Sequence, residues 1–197
     1  MKVVLADYGA GNTRSVCAAL ARAGAEPIVS TAPEEIRKAR LAVIAGVGHV
    51  ASAARGIAPV EEALRARAAA GRPILGICVG MQLFFEESEE GGRGLGLLAG
   101  PVQRLRASRV PHMGWNELTS VRDSRLLDGL EDADVYFAHS FAVVPADDIV
   151  IAHVDHEGAV IAAVESGPLA GVQFHPERSG AAGARLLENA LAWSRSA

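Results

Sequence analysis

The feature that most constrains the fold is an alternation of short apolar runs with stretches of helical spacing. Residues 3–6 form the first run, and after the turn Gly9-Ala10-Gly11-Asn12 the residues Val16, Leu20 and Ala23 recur on one helical face across 13–23. Ile28 and Val29 mark a second strand, 41–45 a third, 60–70 an alanine-rich helix and 73–77 a fourth strand. Strands that alternate with helices imply a mostly parallel, doubly wound α/β sheet flanked by helices, because right-handed crossovers place the helices over the sheet faces.

Beyond a helix expected to begin near Val79, the pattern changes. Residues 86–96 are polar and glycine-rich and read as a surface loop. Residues 97–106, 117–121, 135–137, 149–154 and 159–164 read as short strands joined by turns, which predicts an additional, smaller antiparallel sheet beside the parallel core. A final helix over 182–193 would cover the sheet. A chain of this length buries roughly 70% of its unfolded surface, enough for one domain spanning 1–197.

Charge and composition exclude several functions. A formal net charge of -4 offers no basic footprint for nucleic acid or an anionic membrane. No apolar stretch reaches the ~20 residues of a membrane span, and the N-terminus lacks the apolar core and cleavage site of a secretory signal. Cys17 and Cys78 form no disulfide framework or CxxC motif, so a reducing, cytoplasmic setting is expected. No metal or cofactor is expected. The turn at Gly9 lacks the third glycine of a dinucleotide loop, and His153 and His156 would splay to opposite faces of a strand.

The most informative local motif is Gly76-Ile77-Cys78-Val79-Gly80, where an apolar strand passes into a helix. Glycines two residues to either side leave room for a strained elbow that lifts the central side chain above the sheet edge. A helix N-terminus beneath the sulfur favours thiolate, and its free N–H groups can face an oxyanion. A cysteine nucleophile needs a base, and that base an orienting group. Of the six histidines, His175 stands out: in His175-Pro176-Glu177 the acid sits two residues on, so an extended backbone turns both side chains to one face, and the proline between them stiffens that geometry. Val79 offers one oxyanion amide, and the flexible Gly46-Val47-Gly48 after the third strand offers a second.

These residues lie in longer motifs: DYGAGN at 7–12, GVGH at 46–49, GICVGMQLFFEES at 76–88, VPHMGWNEL at 110–118, YFAHSF at 136–141 and GVQFHPERSG at 171–180. Over nearly the whole chain they resemble the glutaminase (HisH) subunits of imidazole glycerol phosphate synthase, which are class I glutamine amidotransferases with a flavodoxin-like fold. The resemblance implies a triad of Cys78, His175 and Glu177, an oxyanion hole from the Val47 and Val79 amides, and glutamine contacts from Gly48, Gln82, Ser140 and Phe141. It implies a heterodimer with a (β/α)8-barrel cyclase of the HisF type. That cyclase would use the released ammonia to convert PRFAR into imidazole glycerol phosphate and AICAR, and would dock on Asn12, Trp115, Asn116, Tyr136 and Arg178. His49 is expected in packing.

Three positions depart from the family pattern: Ala45 stands where proline usually precedes GVG, Phe141 replaces the tyrosine of HSY, and Arg178 replaces the lysine after HPE. The first implies a less constrained oxyanion strand. Other customers for the ammonia, namely anthranilate, aminodeoxychorismate or pyridoxal phosphate synthesis, are disfavoured by VPHMGWN. A non-catalytic scaffold is disfavoured by the intact Cys78, His175 and Glu177, and a thiol peptidase on the same scaffold is a weaker rival, distinguished by cleavage of peptides that carry no glutamine carboxamide.

Overall fold

The computed structural model describes residues 1–9, 12–119, 121–146 and 148–196. Ala10 and Gly11 of the first turn and Ala197 lie outside the described residues. The expected alternation is present. In chain order come β1 (Lys2–Ala6), α1 (Thr13–Arg22), β2 (Glu26–Ser30), α2 (Pro33–Lys38), β3 (Leu41–Gly46), α3 (Val50–Ile57), α4 (Glu61–Ala69), β4 (Ile74–Cys78) and α5 (Val79–Gln82). Then follow β5 (Glu87–Ser88), β6 (Pro101–Arg104), β7 (His112–Thr119), β8 (Asp134–His139), β9 (Phe141–Val143), β10 (Val150–Asp155), β11 (Ala159–Ser166), β12 (Leu169–Val172) and α6 (Gly180–Ser196).

The large sheet runs β2-β1-β3-β4-β12-β11-β10-β7-β8. Its first five strands are parallel and the remaining pairings antiparallel. The antiparallel strands therefore mostly extend the main sheet. The smaller sheet is a separate three-stranded unit, β5-β6-β9, with one parallel and one antiparallel pairing. Strands β3, β4 and β12 are buried along their whole length, as parallel strands covered on both faces must be. The chain order places α1 on the opposite face from α2, α3 and α4; α6 joins α1, and α2 packs on α4.

One expectation needs correction. The helix expected from Val79, which the apolar sequence through Phe84 and Phe85 would let run on, stops at Gln82. The reason is competition for carbonyls: those of Leu83, Phe84 and Phe85 accept backbone N–H groups from Leu95, Gly96, Leu97 and Leu98, so they cannot continue a helical ladder. Phe84 and Phe85 are fully buried beneath that returning loop.

Buried Arg67 of α4 ties the parallel half together. Its guanidinium donates to the carbonyls of Ile36, Ala39, Arg40 and Pro73 at 2.7–3.0 Å, joining the end of α2 to the approaches of β3 and β4. A buried cation is tolerated because its donors are so fully used.

Candidate active site

The C-terminal ends of β3, β4 and β12 lie side by side, Gly46 opposite Cys78 and Ile77 opposite Val172. Ligands bind at this edge in open α/β sheets, because the connecting loops supply adaptable groups on a rigid base. At the end of β4 the chain makes a sharp elbow, and Cys78 adopts φ 53°, ψ -112°, a conformation rare outside glycine. The flanking glycines permit it. A β-carbon on Gly80 would lie 1.7 Å from the Ile44 carbonyl oxygen, and one on Gly76 would lie 2.6 Å from the Met81 nitrogen. Helix α5 has only four residues, so beside the sulfur it offers first-turn N–H groups and no long helix dipole.

The His175-Pro176-Glu177 segment follows β12 and curls into a single tight turn over Pro176–Arg178. His175 Nδ1 meets Glu177 Oε1 at 2.9 Å, with both side chains almost wholly buried. Its position is fixed from the antiparallel side: the His175 amide donates to the Tyr136 carbonyl, and the Ser179 hydroxyl donates to the His175 carbonyl while accepting the Tyr136 amide. His175 Nε2 is buried without a hydrogen-bond partner among the described residues. Burial opposes the charged imidazolium, but the neighbouring Cys78 sulfur and the Glu177 carboxylate outweigh it and raise His175 to about 10. That arrangement favours the imidazolium form of His175.

In front of Cys78 lies a cavity of about 360 Å³. Gly48, Gln82, Ser140 and Phe141, the four residues expected to contact glutamine, all line it, together with Cys78 and Val79. Gln82 is buried and donates to the Phe141 carbonyl at 2.9 Å and to Gln173 Oε1 at 3.0 Å; Gln173 in turn donates to Cys78 Sγ at 3.5 Å. Val47 is exposed and does not line the cavity. The strand before it is held by Tyr8, whose hydroxyl donates to the Ala45 carbonyl at 2.8 Å and whose ring packs where a side chain on Gly46 would stand.

Two lining residues were not singled out from sequence. Glu90 and Arg104 bring opposite charges into the wall. Glu90 is fixed by the Val50 amide at 2.8 Å and by His49 Nδ1 at 2.9 Å. His49 does not pack in the core; its side chain is 73% exposed at the pocket mouth. No periodicity points to Glu90, because it sits in a glycine-rich loop among other acids.

Trp115 and Tyr136 are register partners on β7 and β8, their rings edge to face, with the Arg178 guanidinium 4.0 Å above the Tyr136 ring. Met113, two residues before Trp115, shares their face; the two are 64% and 58% exposed. Asn12 stands at the start of α1, which packs on the Pro176–Arg178 turn. Asn116 differs: its side chain faces the other way, bonding to His112 and to the Asp155 carbonyl.

A nucleophile elbow on a parallel strand, with a histidine–carboxylate pair on the next strand, defines a class, and residues 4–193 match the glutamine amidotransferase class-I family. Solved structures agree in fold: a glutamine amidotransferase superposes with a TM-score of 0.79 over 98% of both chains at 21% identity, and PurLQS from Thermotoga maritima with 0.77 over 98% of both at 23%. Among curated proteins, the imidazole glycerol phosphate synthase subunit HisH of Methanothermobacter thermautotrophicus is 42% identical, covering 95% of this chain and 96% of that protein. The HisH subunit of Geobacillus kaustophilus is 45% identical over 93% and 92%, and that of Corynebacterium glutamicum 44% over 95% and 96%. The chain belongs to the class-I glutamine amidotransferases and, within them, to the HisH family, and it is an enzyme of the glutaminase type. Among the described residues no helix is long and apolar enough to cross a membrane.

Proposed function

We propose that Cys78, His175 and Glu177 form the hydrolytic triad of a glutaminase that supplies ammonia to a cyclase subunit. The observation that carries this reading is the buried His175–Glu177 pair behind a cysteine held at φ 53° on the edge of a cavity. In this mechanism the Cys78 thiolate attacks the carboxamide carbon of glutamine, and negative charge develops on the carboxamide oxygen. The amide of Val79 receives that charge, and that of Val47, which does not line the cavity, would join it once the 46–48 segment turns toward Cys78, each donor contributing roughly 3 kcal/mol. Imidazolium at His175 protonates the departing ammonia, leaving a thioester at Cys78. His175, now neutral, takes a proton from water as it attacks the thioester, releasing glutamate and restoring the thiolate. Glu177 holds the ring and its tautomer throughout.

Gly48, Gln82, Ser140 and Phe141 would shape the site around the substrate. Glu90 suits the α-ammonium and Arg104 the α-carboxylate of a free amino acid, so a substrate lacking that head would leave both charges without a partner from the substrate. The ammonia is passed, in this reading, to a (β/α)8-barrel cyclase of the HisF type that converts PRFAR to imidazole glycerol phosphate and AICAR, the two subunits forming a heterodimer. Support for the docking face comes from Met113 and Trp115, large apolar side chains exposed together beside Tyr136 and Arg178, with Asn12 near them. Asn116 contributes from behind that face. We read residues 1–197 as one glutaminase domain of the cytoplasm, with free Cys17 and Cys78 suited to a reducing compartment.

The test is covalent trapping with a glutamine analogue that carries a diazoketone in place of the carboxamide. Intact-mass and peptide analysis should find one adduct, on Cys78, blocked by excess glutamine. Labelling elsewhere, or labelling indifferent to glutamine, would refute the assignment.

A further inference from the structure

In the antiparallel half of the sheet two buried histidines touch, one in the pocket wall and one behind it. His112 on β7 and His139 on β8 are register partners, and His112 Nδ1 lies 3.0 Å from His139 Nε2. Such a contact works only if one nitrogen carries hydrogen and the other does not, and the neighbours decide which. His139 Nδ1 lies 2.9 Å from the Phe141 carbonyl, which can only accept, so that nitrogen carries the hydrogen. A neutral ring then leaves His139 Nε2 bare, and the contacting His112 Nδ1 must be the donor. His112 Nε2 is thereby left as an acceptor, and the Asn116 amide donates to it at 3.3 Å and to the Asp155 carbonyl at 2.8 Å. The Asn116 orientation is fixed independently, since its oxygen accepts the Glu117 amide.

We propose that His112 and His139 are positioning residues of the glutaminase pocket: two neutral imidazoles, each with its hydrogen on Nδ1, that carry one direction of hydrogen bonding from Asn116 to the Phe141 carbonyl and so set the pocket wall against Gln82. The same carbonyl accepts Gln82 Nε2, and through Gln173 the network reaches the Cys78 sulfur. A second proton on either ring would set donor against donor. The surroundings resist it: burial foremost lowers His112 to about 4 and His139 to about 3, and the other imidazoles nearby, His156 and His175, add to this, against a partial offset from the Phe141 bond. Packing fixes the plane of His112, which is stacked between Phe137 at 4.5 Å and His156 at 4.1 Å. His112 does not line the cavity, so it acts on substrate only through His139 and Phe141.

The proposal rests on the glutaminase reading for its consequence, but its tautomers can be read without turnover. Long-range proton–nitrogen NMR of the 15N-labelled protein should show His112 and His139 both protonated on Nδ1, bare on Nε2, and not titrating between about pH 6 and 8. Kinetically, His112→Phe should raise KM for glutamine about tenfold with a smaller change in kcat. His112→Asn, whose amide can donate from the position of Nδ1, should restore most of it. Hydrogen on Nε2 of either ring, ordinary titration near neutrality, or an unchanged KM in His112→Phe would overturn the proposal; so would parallel losses of kcat and KM that asparagine fails to rescue. Absence of glutamine turnover in the unaltered protein would instead strike the glutaminase reading, while the NMR result still decides the tautomers.

Discussion

The two halves of the large sheet place polar chemistry differently. In the parallel half, β1, β3, β4 and β12 are apolar and buried almost throughout, and reactive groups appear only where strands end, at Cys78 and just beyond β12 at His175. In the antiparallel half, polar side chains lie within the strands: β7 alternates buried His112 with exposed Met113 and Trp115. The parallel half therefore acts as a rigid base for the nucleophile, and the antiparallel half joins an exposed apolar face to the back of the pocket. Tyr136 belongs to both roles, its ring on that face and its backbone bonded to His175.

That division of labour can be broken at its strongest point first. Cys78→Ala should lower glutamine hydrolysis by about 10⁴-fold, since removal of a nucleophile leaves only binding and oxyanion effects. Its melting temperature should stay near that of the unaltered protein, because Cys78 makes no other strong bond in the core. If the parallel half is a passive base, Arg67→Met should do the reverse. Orphaning the carbonyls of Ile36, Ala39, Arg40 and Pro73 should cost about 3 kcal/mol in urea unfolding, while kcat at a temperature where the variant is folded changes little.

A pH profile sharpens the comparison next. His175 is raised to about 10, so the imidazolium and its contribution to stability are complete below the ordinary value near 6.5 and are lost as pH climbs through about 10. Glu177→Gln removes one of the influences holding it up. The alkaline limb of kcat/KM should move to lower pH, with activity at neutral pH reduced about 100-fold. The smallest effect belongs to the exposed face. Trp115→Ala should leave glutamine hydrolysis by the isolated chain unchanged but weaken cyclase binding about 30-fold, measured by calorimetry.

The parallel half was legible in the sequence because buried parallel strands read as continuous apolar runs, and the elbow glycines at 76 and 80 mark the one turn that needs them. Other elements were hidden. Helix α2 is short and buries only Ile36, so its period is faint, and α3 carries helical spacing in Val50, Ala53 and Ile57 over only eight residues. Strand β7 was legible only at its end, because His112, Gly114 and Asn116 occupy its inward positions where apolar residues would announce a strand. The short α5 was unreadable for a different reason: the carbonyls that end it are claimed by a loop more than ten residues away in sequence. Within the site, the motifs brought Cys78, His175 and Glu177 forward, but Glu90, Arg104 and the His112–His139 contact arise only when β6, β7 and β8 close around the cavity.

The most direct test of the central claim is glutamate release from glutamine by the chain alone and with a HisF-type cyclase loaded with PRFAR, beside Cys78→Ala. The account predicts low release alone, strong stimulation by the loaded cyclase, and none in the variant under either condition. Release that persists in Cys78→Ala, or no release from the unaltered protein with the loaded cyclase, would contradict it.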